Sequence, residues 1–169
     1  MIRWVGIICV IGACGACGFS MAGDYLSLER CLRQLKNALE LMLCQMEYRM
    51  TSLTELCDIL ASACTGPVGQ VFRDLGQELN AGNVPNASTC MAYALAKNNQ
   101  LPEACRVLLK QVGNHLGQLD LESQLRGLTL TKEQTSQQLD KVMAERAGRI
   151  RSYRALGLCG GAALTILLL

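Results

Sequence analysis

Leu28-Glu29-Arg30-Cys31-Leu32-Arg33-Gln34-Leu35-Lys36-Asn37-Ala38-Leu39-Glu40-Leu41-Met42-Leu43-Cys44-Gln45-Met46 decides the fold class. Leu28, Leu32, Leu35, Leu39, Met42 and Met46 recur at alternating spacings of four and three. With 3.6 residues per turn, that pattern draws one apolar stripe along an amphipathic α-helix. Nothing between Asp24 and Met50 breaks a helix, so this one is expected to run on directly from the segment before it.

Downstream, the same period returns. Thr51-Ser52 with Glu55 three residues after the serine is a capping-box pattern. Leu53, Leu56, Cys57, Leu60 and Cys64 then mark one face, and Gly66-Pro67 is expected to end that helix. A third helix carries Val68, Val71, Phe72, Leu75 and Leu79 and stops at Gly82. Asn83 to Ser88 is a loop by composition. Asn86 or Ser88 caps a short helix with Met91 and Leu95 inward, interrupted at Asn98-Asn99. Pro102 sits where a first helical turn tolerates it. Cys105 joins a stripe with Leu101, Leu108, Val112 and Leu116, and Gly117 to Asp120 is a second break. From Leu121 onward the seam is Leu121, Leu125, Leu128, Thr135, Leu139, Val142 and Ile150. Only Leu128 to Thr131 offers any strand-like alternation. The expected fold is all-α: an antiparallel helical bundle of about six helices, since short connections favour antiparallel neighbours.

The charges divide the chain. Trp4 to Gly23 carries none, Ala155 to Leu169 carries none, and Arg3 is the only charged residue outside Asp24 to Arg154. About 20 helical residues extend about 30 Å, the hydrocarbon thickness of a bilayer. The expected division is a transmembrane helix at 1–23, a cytoplasmic helical bundle at 24–154 and a transmembrane segment at 155–169. Gly6, Gly12, Gly15, Ala16 and Gly18 would let the first span pack closely on another helix. Arg30, Arg33 and Lys36 follow the first span; Arg146, Arg149, Arg151 and Arg154 precede the last. By the positive-inside rule the middle is cytoplasmic, at a membrane surface whose anionic lipid the four arginines favour. The alternative is a secreted or lipid-modified helical protein. Arg3 would then head a cleaved signal, and Ile11-Gly12-Ala13-Cys14 has the form of a lipidation site.

Composition narrows the chemistry. In 169 residues, 50% are hydrophobic, 4% aromatic and 18% charged, and sixteen Lys plus Arg against fourteen Asp plus Glu leave +2. That excludes a strongly basic nucleic-acid binder and an acidic disordered tail. The single histidine, His115, rules out a multi-histidine metal site within one chain, and a hydrogen-bonded surface or boundary role is expected for it. Of ten cysteines, Cys9, Cys14, Cys17 and Cys159 lie in the apolar ends. Cys31, Cys44, Cys57, Cys64, Cys90 and Cys105 are scattered, several on inward faces. They read as small hydrophobes in a reducing compartment. A thiol-redox or zinc role needs a close pair, and the only C-x-x-C, Cys14 to Cys17, is in the expected span. A phosphate loop of the G-x-x-x-x-G-K-[ST] type is missing. Glu29 with Arg33, and Glu145 with Arg149, read as surface i,i+4 pairs. The sequon Asn86-Ala87-Ser88 carries no weight in a cytoplasmic body. No catalytic, cofactor or metal residue is assigned, and the chain is expected not to be an enzyme.

One ordered set of residues resembles a known family. A glycine-rich first span is followed by Leu28 to Leu39 as quoted and by Gln45-Met46-Glu47-Tyr48, Thr51 and Leu53. Then come Gly113, Leu116-Gly117-Gln118-Leu119-Asp120, Gln124, and Arg151-Ser152-Tyr153-Arg154-Ala155-Leu156-Gly157 before an apolar tail. Together these resemble the stage III sporulation protein AB family over essentially the whole chain. Arg49 and Ser52 depart from the family's usual Gly and Pro, which changes the turn between the first two helices. The resemblance implies a subunit of a transenvelope, secretion-like channel complex between mother cell and forespore. Its helical domain would be similar to the cytoplasmic domains of type II secretion and type IV pilus platform proteins. That likeness implies a scaffold in the mother-cell membrane around the forespore, docking a cytoplasmic ATPase to the channel. The implied partners are the other complex subunits, membrane lipid and a second copy of the chain, with no nucleic acid.

Overall fold

In the computed structural model, backbone is described for residues 2–49, 51–82, 86–117 and 120–168, and burial for residue 23 and residues 25–145 within these. Six α-helices follow one another: α1 Ile2–Tyr48, α2 Leu53–Ala63, α3 Gly66–Ala81, α4 Ala87–Lys97, α5 Glu103–His115 and α6 Leu121–Leu168. The class is all-α. The chain divides into two compact units, Met1–Glu29 with Asp140–Leu169, and Arg30–Leu139. The expected body 24–154 encloses the second unit. The expected anchors 1–23 and 155–169 fall in the first, and their side chains lie outside the described residues. Among the described residues no helix is long and apolar enough to cross a membrane.

In the unit Arg30–Leu139, local chemistry sets the helix ends. Ser52 Oγ accepts from the Glu55 backbone N–H at 3.4 Å, starting α2. Asn86 Oδ1 accepts from Ser88 N–H at 3.4 Å, starting α4. Both supply an acceptor to donors that a first turn leaves unpaired. Gly82 closes α3 at φ 64°, in the left-handed region that glycine enters without a Cβ penalty.

Several local expectations are corrected. Gly66-Pro67 begins α3 rather than ending α2, which already stops at Ala63 with Cys64 extended. Proline's missing N–H costs nothing in a first turn, so Pro67 suits an entry better than an exit. Pro102 stands one step before the first turn of α5, its carbonyl accepting from Arg106 N–H at 3.0 Å. Leu128 to Thr131 is helical, inside α6. Leu121 is 41% exposed, because the inward face of α6 begins nearly two turns later, at Gly127 and Leu128. Glu29, read as half of a surface pair, is buried. Arg149 and Ile150 lie outside the described side chains, and Glu145 accepts from Tyr25 Oη–H at 3.0 Å.

The core of the unit is drawn from every helix. Leu32, Leu35, Leu39 and Met42 of α1 meet water hardly at all, nor do Leu56, Leu60, Val68, Phe72, Leu75, Met91, Leu109 and Leu128. Apolar area removed from water is worth roughly 25 cal/mol per Å², which makes this stripe the main source of stability. Among α2 to α5, each helix packs on the next in chain order. Small residues let them approach. Gly69 and Gly76 lie on the face of α3 towards α2, and a Cβ at Gly76 would stand 3.2 Å from Cys57 Cβ. A Cβ at Gly69 would strike the Cys64 carbonyl oxygen. Cys57, Ala61 and Cys64 supply the opposing small surface, all buried. On α5, a Cβ at Gly113 would lie 2.6 Å from Met91 Cβ of α4.

Candidate functional site

Three arrangements in the unit Arg30–Leu139 bring polar or reactive groups together. The first is the C-terminal end of α4. A helix end leaves carbonyls without partners and carries partial negative charge. Arg106 of α5 answers both, donating from its guanidinium to Leu95 O at 2.7 Å and to Asn98 O at 3.0 Å. Asn98 Nδ2–H bonds to Ala94 O at 2.9 Å and to Asp74 Oδ2 at 2.7 Å. Lys97 Nζ stands 3.5 Å from Asp74 Oδ1. Asp74 is thus a buried carboxylate whose two oxygens are both engaged. The cluster ties α3, α4 and α5 together, and its groups are occupied with one another rather than with a reacting atom.

The second is a surface groove of about 560 Å³ between the end of α1 and the start of α6. Glu40, Cys44 and Tyr48 line one side, Glu122, Arg126 and Lys132 the other. Tyr48 is 77% exposed. Arg126 and Glu122 form an i,i+4 pair at 3.5 Å, both largely in solvent and worth little to stability. The groove carries both signs of charge around Leu43 and Leu125, an open surface suited to a polypeptide rather than an enclosed pocket for a small molecule.

The third is a pair of thiols. Cys31 of α1 and Cys105 of α5 are both buried, and hydrogen bonding between the two thiols sets the direction in which each titrates. That bond holds the Cys31 thiol below its ordinary value, although burial opposes it. The same bond, with burial, pushes Cys105 up. Cysteine spacing offers no close pair outside the expected span, whereas the fold brings these two onto the facing sides of α1 and α5. Spacing gave no signal, because the two lie on different helices far apart in the chain. Their register did: each sits on an inward stripe, beside Leu32 and Leu35 in one case and Leu101 and Leu108 in the other.

The remaining described cysteines behave as small hydrophobes or surface groups. Burial pushes Cys57 up to about 12, helped by the neighbouring Asp58 carboxylate. Burial also raises Cys64 and Cys90, the latter with Glu78 adding to it. Cys44 is exposed. His115 is half-buried, its ring against Gly127 of α6, where a Cβ would collide with the imidazole. Among the described residues no group of three or more His, Cys, Asp or Glu could hold a metal ion.

Six helices with buried faces, capped ends and an open charged groove define an all-α helical-bundle protein. A sequence model of stage III sporulation protein AB matches residues 3–169. The chain belongs to the stage III sporulation protein AB family, and its role is in sporulation. It is 26% identical over 172 residues to the stage III sporulation protein AB of Bacillus subtilis (strain 168), covering all of both chains. A solved structure of a stage III sporulation protein AB superposes with a TM-score of 0.58 at 25% identity, over 76% of this chain and 97% of that one.

Proposed function

We propose that the chain is a non-enzymatic membrane scaffold of the sporulation transenvelope complex, linking a cytoplasmic ATPase to the channel between mother cell and forespore. One observation carries the reading: the family match covers both charge-free ends as well as the helical body between them. A body held by lipid at each end, with its interior apolar and its charges outward, works by presenting surfaces. Trp4 to Gly23 and Ala155 to Leu169 are the membrane segments in this reading. Residues 24–154 face the mother-cell cytoplasm, held there by the arginines before the last span. The groove between α1 and α6 is the surface offered to the ATPase or a neighbouring subunit.

The test is recovery of tagged protein from membranes of sporulating cells. Channel and ATPase subunits are expected to come with it. Recovery of the protein alone from an intact membrane fraction would overturn the reading. The mature N-terminus separates it from the lipidated alternative: a chain beginning at Met1 fits the scaffold, one beginning at a modified Cys14 does not.

A further inference from the structure

The groove between α1 and α6 has walls of opposite charge. On α1, Glu40 and Glu47 stand exposed on either side of half-buried Leu43. On α6, Lys132 and Arg126 flank Thr129, and half-buried Leu125 completes the floor. Lys36 Nζ donates to Ser136 Oγ at 3.3 Å, and residues after Lys36 share the groove with residues before Ser136, so the two helices run antiparallel here. Glu40, four residues past Lys36, is therefore level with Lys132, four before Ser136. Glu47 is level with Leu125 and Arg126 in the same way. Among the described residues Glu40, Glu47 and Lys132 make no ion pair within the chain. Arg126 pairs only with Glu122 of its own helix, largely in solvent.

Acids along one edge and bases along the other, at matched heights, make a surface complementary to itself under a twofold rotation. An axis parallel to the two helices lays α1 of one copy over α6 of the other and leaves every residue at its own height. Glu40 then meets the partner's Lys132, and Glu47 meets the partner's Arg126, each contact being made twice. Four antiparallel helices would enclose Leu43 and Leu125, and Tyr48, 77% exposed in one copy, would gain cover at the end of the groove. We propose that the groove is the contact between two copies of this chain, a symmetric dimer in which the α1 acids of each pair with the α6 bases of the other. This rests on the reading of the groove as a protein-docking surface and commits it to one occupant.

The experiment measures molar mass by light scattering of purified full-length protein in detergent micelles, over a dilution series and with the detergent's share subtracted. A dimer is expected, weakened in about 1 M salt, where charges reach only about 3 Å. Glu40→Lys and Lys132→Glu should each weaken it by about tenfold or more, because like charges then face each other twice. Mixed together, those two variants should pair with one another, and a chain carrying both substitutions should regain the parent's dimer. Glu47→Lys and Arg126→Glu repeat the test at the second level should circular dichroism show that Lys132→Glu is unfolded. A monomer at every concentration overturns the proposal. So does a dimer that neither reversal weakens, or one that the paired reversal fails to restore. The ATPase link is judged apart from this: channel and ATPase subunits recovered with a monomer would sink the dimer alone, and a charge-dependent dimer recovered without them would sink the scaffold reading alone. Charge reversals that release the ATPase from a monomeric chain would give the groove to the ATPase and overturn the proposal.

Discussion

Gly113 shows how tightly single residues are placed. Its missing Cβ is the space that Met91 occupies. Gly113→Ala would push α4 away from α5, because the new methyl meets Met91 Cβ, which the backbone fixes and no rotamer moves. Overpacking of this kind costs about 1–3 kcal/mol. Denaturant unfolding should show that loss, and adding Met91→Ala should not recover it, because alanine keeps the Cβ that the new methyl meets. Arg106 makes a different case. Its guanidinium reaches two carbonyls of α4 at once. Arg106→Met keeps the apolar stem but strips those carbonyls of their donors, at about 1–2 kcal/mol for a partly exposed site. Arg106→Lys should fail to restore the loss, since one ammonium does not reproduce the fork. Equal stability of the methionine variant and the parent would sink that account. These residues differ in what the sequence disclosed. The inward position of Met91 was readable from period alone. That Gly113 faces it was not, because close approach belongs to the meeting of two helices rather than to either one.

At the scale of elements, α6 begins on a side chain. Asp120 accepts from Glu122 N–H and Ser123 N–H, each at 3.2 Å, and from Ser123 Oγ–H at 2.6 Å. These bonds, Ser123 first, hold its carboxyl below the ordinary value of 3.8. Because the folded value is the lower one, the stabilisation is present above about pH 3.8 and is lost as pH falls through the folded value. Asp120→Asn should therefore flatten the acid limb of the stability profile, and amide exchange in the first turn of α6 should quicken. An unchanged acid limb in the variant would show that the cap plays no part. Further along, Thr129, Thr131 and Thr135 return their hydroxyls to the carbonyls four residues back, at 2.7, 2.9 and 2.7 Å. This is how Thr131 and Thr135 sit fully inside without an unpaired group. The order of elements, the Ser52 and Asn86 caps and the Gly82 stop were legible in the sequence, since each depends on a few neighbouring residues. The short alternation around Leu128 was ambiguous as written. It resolves only because Leu128, Thr131 and Thr135 fall on one side of a helix.

For the whole molecule, exposure decides which thiol reports topology. Cys44 is open to solvent and Cys105 is not, although both stand in the helical body. In the proposed orientation, a membrane-impermeant maleimide should leave Cys44 unlabelled in intact cells and modify it after permeabilisation. Cys105 should stay silent in both. Labelling of Cys44 from outside would reverse the orientation. The two charge-free ends were the plainest feature of the sequence, because a long uncharged run needs no partner to be recognised. The groove and the thiol pair were not legible, since each joins residues that only the folded chain brings together.

The order of packing also bears on how the chain is made. Helices α2 to α5 meet their neighbours as they appear, whereas Lys36 of α1 bonds Ser136 of α6, a hundred residues on. On the ribosome, then, the Leu32, Leu35 and Leu39 stripe emerges long before the surfaces that will cover it. Contacts so distant in sequence close slowly. The nascent protein passes through a period with that stripe uncovered, when it is exposed to neighbouring chains unless a chaperone covers it.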